Sequence, residues 1–520
     1  MGVEWFAAPD YWFGRLVCQR LIAALYLTGF LAAANQFRAL IGEHGMLPVP
    51  RFTARVPLRR SPSLFHLYYS DRAFAAVCWT GAALAASVLA GAADHVPLGV
   101  AMAGWGVLWL LYLSIVNVGQ TWYSFGWESL LLEAGFLAAF LGNARTTPPV
   151  LVLWLLRWLL FRVEFGAGLI KLRGDSCWRD LTCLRYHHET QPMPGPLSWF
   201  FHHLPGPLHR AEVAANHFVQ LVVPVALFLP QPVAGLAAAA MIATQLWLVA
   251  SGNFAWLNWL TIALAVSVVD APSAAAVLPV PGRPGFAATP LWYEVMVLLL
   301  TVLVAVLSYW PARNLLSRRQ AMNRSFNRIH LVNAYGAFGS VNRIRLEVVI
   351  EGSAEPARAG GSAGRAVGSA GRAGDGGGDG DGGGSGHAGH TVWHEYGFKG
   401  KPGELRRIPR QVAPYHLRLD WLMWFAAISP EYARPWFSAF LARLLANDPA
   451  TLRLLRHNPF PHKPPVRVRV LLYHYRFTTP RELRATGAWW ERTLVREYLA
   501  PVTLRDLAHL GPHRAVRSRP

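Results

Sequence analysis

The chain has 520 residues, of which 53% are hydrophobic, only 15% are charged and 22 are tryptophan, and its formal net charge is +20. The charged share lies well below the ~25% of a soluble globular protein, which excludes an ordinary soluble domain and marks a polytopic membrane protein whose first partner is the lipid bilayer. The basic residues stand in loops between apolar segments and in the C-terminal third, a membrane-flanking distribution, and without any recognised nucleic-acid module no nucleic acid is expected as a partner.

Residues 1–14 are aromatic and acidic and lack the basic start of a signal peptide, so the first hydrophobic helix is expected to act as its own insertion signal. A transmembrane helix needs ~20 mostly apolar residues at 1.5 Å each. Runs of that kind predict about nine spans, at 15–34, 73–93, 96–118, 127–142, 149–171, 213–229, 232–250, 253–270 and 290–310. The fourth is short and carries Glu128 and Glu133, which predicts a tilted, re-entrant or neighbour-buried helix. The seventh and eighth meet at Ser-Gly-Asn, residues 251–253, a tight hairpin. Residues 1–310 therefore read as a transmembrane domain with structured loops at 35–72 and 171–212.

After Trp310 a basic amphipathic stretch leaves the bilayer. Alternating apolar and polar residues predict strands at 343–352, 391–398 and 466–478, and helices are expected near 430–446 and 449–457, with Asp448-Pro449 as a break and restart. Residues 311–520 thus read as a soluble α+β domain with an antiparallel sheet. Residues 353–390, rich in Gly and Asp and poor in apolar side chains, predict a disordered insertion.

Ionisable groups at membrane depth are functional candidates by default. Arg157, Glu164 and Lys171 recur every seven residues. A heptad drifts only ~20° around a helix, so the three share a face. Gly166 and Gly168 leave room beside that face for a neighbouring helix or a small ligand. Arg162 points elsewhere, and Glu128 and Glu133 are natural partners for the two arginines, as interhelical glue. Asn216, His217, Asn253 and Asn258 complete the intramembrane polar set.

Lys171 differs in kind. The other lysines are Lys399, Lys401 and Lys463, so it stands alone in the first three-quarters of an arginine-rich chain. An arginine stays protonated, whereas a partly buried lysine can lose its proton and act as a base. Lys171, with Glu164 beside it, is therefore a candidate catalytic pair, set against a simple snorkelling anchor.

The loop that follows carries Trp178, Arg179, Asp180, Tyr186, His187, Glu189, Gln191 and Pro192, and then His202, His203 and His209. Cys177 and Cys183 can form a disulfide if this side faces an oxidising compartment. A zinc set adding His187 and His188 fits no common finger or ribbon spacing, and the pair lacks the Cys-x-x-Cys spacing of redox motifs, so no metal is expected. Cys18 and Cys78 read as packed thiols.

Long stretches, among them "QTWYSFGWESLLLEAGFLA", "GDSCWRDLTCLRYHHETQPMPGPLSWFFHHLP", "SGNFAWLNWLT", "NAYGAFGSVNRIRLEVVIEG" and "WHEYGFKGKPG", closely resemble the lipase maturation factor family, nearly end to end. The resemblance implies a non-catalytic membrane chaperone without a cofactor, assisting secreted lipases or other exported proteins. It would sit in the endoplasmic reticulum membrane of a eukaryote or the plasma membrane of a bacterium. The C-terminal domain would be lumenal or external and hold the client, with Tyr335, Gly336, Phe338, Gly339, Asn342 and Arg343 as client-binding candidates. A more distant resemblance, carried by "FGAGLIKL" at 165–172, is to vitamin K-dependent gamma-glutamyl carboxylases. It implies instead an enzyme with Lys171 as the base acting on a membrane quinone. With nine spans, both structured loops and the C-terminal domain share one side. The positive-inside rule would make that side cytoplasmic; the family resemblance makes it lumenal or external, and long folded segments translocate largely regardless of charge.

Overall fold

Prolines and polar caps set where the apolar runs become helices. The computed structural model describes residues 6–355 and 391–514. Helix α1 (Trp12–Leu40) follows a short 3-10 turn and runs six residues past its predicted span. Helix α2 (Asp71–Ala90) starts where the Ser70 hydroxyl accepts the Ala73 N–H at 3.1 Å and stops at Gly91, whose φ of 106° suits glycine. Then come α3 (Leu98–Val118), α4 (Gly126–Ala138) and α5 (Val150–Arg173), and in the long loop α6 (Leu184–Thr190). Helices α7 (Gly206–Leu221), α8 (Val233–Ser251), α9 (Leu257–Val266) and α10 (Leu291–Leu307) complete the apolar part.

Among the described residues, five helices are long and apolar enough to cross a membrane: Pro9–Leu40, Asp71–Ala90, Leu98–Val118, Val233–Ser251 and Leu291–Leu316. The other four predicted spans fall short of that measure. Helix α4 has 13 residues and α9 has 10, so they are ~20 Å and ~15 Å long against a ~30 Å hydrocarbon core. Both are buried along almost their whole length, α4 leaving only Ser129 and Phe136 part-exposed, so neighbours rather than lipid surround them. Helix α7 has 16 residues, and α5 carries Arg157, Arg162, Glu164, Lys171 and Arg173. Helix α10 is the opposite case: Leu291, Leu299, Val302 and Val306 are exposed on one side, an apolar stripe suited to lipid.

Both ends of the bundle are tied by hydrogen bonds between its turns. At one end Asn143 donates to the Val96 carbonyl (2.9 Å), the Ala287 N–H to Arg145 (2.8 Å) and Gln231 to Val268 (2.8 Å). At the other, Gln120 donates to Leu47 (2.9 Å), Ser61 to Asn117 (2.7 Å) and the Asn253 N–H to Met193 (3.1 Å).

The C-terminal part packs on this second end. Its four strands, β1 (Arg345–Ser353), β2 (His394–Glu395), β3 (Arg467–Phe477) and β4 (Trp490–Val502), form an antiparallel sheet in the order β2-β1-β3-β4, with Val349 opposite Leu471. Helices α11 (Arg418–Ile428) and α12 (Phe437–Leu445) pack beside it. The strand expected at 391–398 shrinks to two residues, because the Gly397 N–H leaves the ladder for the His457 carbonyl at 3.0 Å. The helix expected at 430–446 is split at Pro435, which has no N–H to continue it, and the next is only Pro449–Leu452. Strand β4 and helix α11 were not anticipated. Ser353 closes β1, and the rest of the insertion expected to be disordered lies, from residue 356, outside the described residues.

Candidate functional site at the seam of helices and sheet

The charged face of α5 meets α7 and α8 in one buried polar chain. Lys171 Nζ donates to Asn216 Oδ1 and Gln220 Oε1, both at 2.8 Å, and lies 4.9 Å from the centre of the Trp178 ring. The Gln220 amide donates to Glu164 at 3.1 Å, the Gln245 amide to the other Glu164 oxygen at 2.7 Å, and Asn258 to Gln245 at 2.7 Å. Gln220 thus presents its oxygen to the cation and its nitrogen to the anion. The glycines permit the approach: a Cβ on Gly168 would come within 2.9 Å of Gln220, and one on Gly166 within 2.4 Å of the Tyr335 carbonyl. Arg157, on the same face, donates to the Leu227 carbonyl (3.1 Å) and the Tyr11 hydroxyl (2.9 Å).

The acids of α4 take different partners. Glu133 pairs with Arg162 and accepts from the Asn333 N–H and side-chain amide, both at 3.0 Å, and from the Tyr335 hydroxyl at 2.7 Å. Glu128 does not meet Arg157. Its carboxylate accepts from Tyr112 (2.6 Å) and from Arg418 of α11 (2.5 Å), whose guanidinium also donates to the Trp122 carbonyl (2.8 Å) and lies 3.5 Å from the Tyr123 ring centre. Both members of this pair are wholly buried. His416 beside them receives the Trp127 indole N–H (3.3 Å), and burial, with Arg418 adding repulsion, pushes its pKa down to about 4. His416 Nδ1 also lies 3.3 Å from Glu128 Oε1.

The loop after α5 is the second half of the seam. Cys177 and Cys183 are joined by a disulfide, which removes both thiols from any zinc set. Asp175 binds Arg343 at 2.7 Å, the Trp178 indole donates to the Phe338 carbonyl at 2.8 Å, and His217 lies 3.0 Å from the Trp178 carbonyl. His187 packs edge-on against Phe338, and burial, with Lys171 adding repulsion, pushes its pKa down to about 3. Arg179 and Asp180 are exposed, and Tyr186 lies under Arg343 at 4.8 Å. Arg345 of β1 reaches the backbone carbonyls of Glu189 (2.7 Å), Gln191 (2.5 Å) and Pro192 (3.2 Å) and pairs with Glu347, which also holds Lys401 at 3.0 Å. The Glu189 carboxylate accepts the Phe477 N–H at 2.6 Å. Gln191 bridges Ser198 and the Ser251 carbonyl, both at 2.9 Å. Asn253 receives the Val412 and Ala413 N–H groups at 2.6 and 2.8 Å while donating to Arg410 at 2.9 Å.

Segment 335–343 is therefore mostly mortar between the parts. Tyr335 and Gly336 are buried against α4 and α5, which corrects the expectation that they face a client. Phe338 and Gly339 are half-buried, the Gly339 carbonyl accepting from the Asp175 N–H at 2.8 Å; Asn342 and Arg343 are exposed.

A model of the lipase maturation factor transmembrane domain matches residues 13–276, and one of the lipase maturation factor C-terminal domain matches residues 381–500. The chain is 38% identical over 542 residues to lipase maturation factor 1 of Bos taurus, covering 96% of this chain and 91% of that protein. The chain belongs to the lipase maturation factor family. Human lipase maturation factor 1 is also 38% identical, over 541 residues, and human lipase maturation factor 2 is 30% identical over 497 residues, covering 77% of this chain and 69% of that one. No solved structure matches. Two family modules thus supply the two faces of the seam: Glu128, Arg162, Lys171 and Asn253 come from the first, Arg418 from the second. Sequence reasoning missed Gln220, Gln245, Arg345, Glu347, His416, Arg418 and Asp420, the last a buried carboxylate of α11 that accepts the Gly400 N–H at 2.6 Å. Arg418 and Asp420 left a signal, two opposite charges opening an otherwise apolar stretch, "RLDWLMWFAAI".

Proposed function

We propose that this protein is a membrane-embedded maturation factor that helps secreted lipases, or other exported proteins, reach an active fold. The reading invokes no cofactor and no catalysis. The nine predicted segments would cross the membrane in alternation, the two shortest, α4 and α9, shielded inside the bundle, with the sheet on the lumenal side in a eukaryote or outside a bacterial plasma membrane. The disulfide on the sheet side of the bundle supports that orientation over the charge rule, since such bonds persist in oxidising compartments.

The carrying observation is the seam itself together with what it leaves free. Buried bonds fix the sheet to the helices, and among the described residues β4 is the long edge of that sheet, 13 residues with one neighbour and with Leu494 and Val495 half-exposed. An unpaired strand edge with apolar side chains is a template for an extended client segment. A photo-crosslinker at Val495 should capture a co-expressed dimeric lipase before secretion, and one at Leu278, at the other end of the bundle, should not. Equal capture at both positions would refute the client role of this edge. Lys171 is read as scaffold: its ammonium donates to two amide oxygens and faces an indole, and nothing favours the carboxylase-like alternative.

A further inference from the structure

Among the described residues, one cluster of side chains converges with several of its polar atoms lacking a partner. His188 of α6 and His209 and Glu212 of α7 converge, each offering a ligand atom, with those atoms within 4.8 Å of one another. His209 and Glu212 stand three residues apart, one above the other on the helix. His188 and His209 are only 1% and 3% exposed. Yet both ring nitrogens of His188, Nδ1 of His209 and Oε2 of Glu212 are buried without a hydrogen-bond partner. Leaving such a group unsatisfied costs about 1–3 kcal/mol, so three that point together call for a shared ligand.

The other atoms of the cluster are held as a metal site holds them. His209 Nε2 lies 3.3 Å from the His202 carbonyl, an arrangement that keeps the proton on Nε2 and bares the Nδ1 lone pair. The Trp247 indole donates to Glu212 Oε1 at 2.7 Å, leaving Oε2 free. Such outer hydrogen bonds orient ligands and fix their tautomers. Phe201 closes the site, 5.6 Å from the His188 ring and 4.8 Å from Trp247.

We propose that His188, His209 and Glu212 form a binding site for a divalent transition metal, zinc in the first instance, that ties the disulfide-bearing loop to α7. Two imidazoles and one carboxylate suit zinc, whereas magnesium and calcium prefer all-oxygen sets. Tetrahedral zinc at about 2.0–2.1 Å from each donor needs donors about 3.3 Å apart, a closure within reach of side-chain rotation. The fourth position would go to water or to a carboxylate. This is not the Cys177–Cys183–His187–His188 set weighed from the sequence, and it shares only His188 with it.

The test uses the full chain, carried on a tag without histidine, purified in detergent, stripped with EDTA and dialysed. Zinc chloride is added, free ion removed, and retained metal counted by mass spectrometry, with thermal unfolding read alongside. Wild type should retain about one zinc per chain and melt higher with it. His188→Gln, His209→Gln and Glu212→Gln should each bind at least about tenfold more weakly. His203→Gln should bind as wild type, because its Nδ1 already lies 2.7 Å from the Trp199 carbonyl outside the cluster. Should a ligand variant fail to fold, the wild-type cobalt spectrum decides: intense ligand-field bands of a tetrahedral ion support the site, and the weak bands of hydrated cobalt overturn it. Wild type that retains no zinc, or ligand variants that bind as well as wild type, also overturn it. No lipase enters the experiment, so its outcome is independent of the maturation reading.

Discussion

Arg418→Met should loosen the C-terminal domain from the helices, and restoring charge balance should undo most of the damage. The Arg418 guanidinium is the one cation bonded to Glu128, at 2.5 Å, with both groups wholly out of solvent. Removing it leaves a buried carboxylate beside the Tyr112 hydroxyl and the His416 ring, which burial holds against taking a charge, and breaking a buried pair from one side costs about 3–5 kcal/mol. Glu128→Gln strands Arg418 in the same way and should cost a similar amount. In the double variant no charge is left unpaired. What remains lost is the bond to the Trp122 carbonyl and the packing on Tyr123, about 2 kcal/mol together. The cycle should therefore show a restoring coupling of at least about 2 kcal/mol. Unfolding in mild detergent, followed by proteolysis within residues 400–420, reads it. If the two single losses simply add in the double variant, the pair does not weld the domains and the reasoning fails.

Three other outcomes follow from the seam. Lys171→Arg keeps a donor toward Asn216 and Gln220, so secreted lipase activity should survive it; abolished activity at unchanged protein level would return the base hypothesis to first place. Burial raises the pKa of Asp420 to about 6 from its ordinary 3.8, so the folded state holds this proton where the unfolded chain has lost it. Its contribution to stability thus falls by on the order of 3 kcal/mol as pH rises from about 4 to about 6. His416, with its pKa lowered, runs with the opposite sign through the same window. The signal is therefore the difference from Asp420→Asn, which should gain on wild type between those pH values; a constant difference would show that Asp420 is not strained by its burial. Replacing Cys177 and Cys183 by serine opens a short loop closed across a sequence separation of 6, which the chain-entropy relation values at about 2 kcal/mol. Denaturant titration in detergent should show that loss, and none would mean the thiols are free in the native protein.

The apolar runs were legible because burial in lipid or in a bundle leaves a plain compositional mark, and the break at Asp448-Pro449 shows in the residues themselves, Asp448 capping the helix that follows. How many runs are long enough to span was not, since α4 and α9 are as apolar as their longer neighbours and differ only in what surrounds them. Glu128 and Glu133 are expected to pair with the arginines of the next helix without a fixed assignment, and Glu133 does meet Arg162. Glu128 was not matched with Arg418, because 290 residues of chain separate them and no local pattern encodes such a meeting. Strand β4 hid behind its charges: "WERTLVREYLAPV" puts Arg and Glu on the solvent side of a sheet edge, where they serve as well as they would on a helix. The family resemblance implies a client-facing Tyr335, but its hydroxyl is spent on Glu133. A motif can mark the joint of a machine as readily as its working face.

The most direct test of the account is functional. Cells lacking their own lipase maturation factor, and expressing a dimeric secreted lipase, receive this protein, and secreted activity is divided by secreted lipase mass. The account predicts that activity per lipase molecule rises while lipase mass changes little, and that Leu494→Asp with Val495→Asp abolishes the rise without lowering the protein's own level. Activity per molecule that stays flat with the wild-type protein well expressed in the membrane would contradict it.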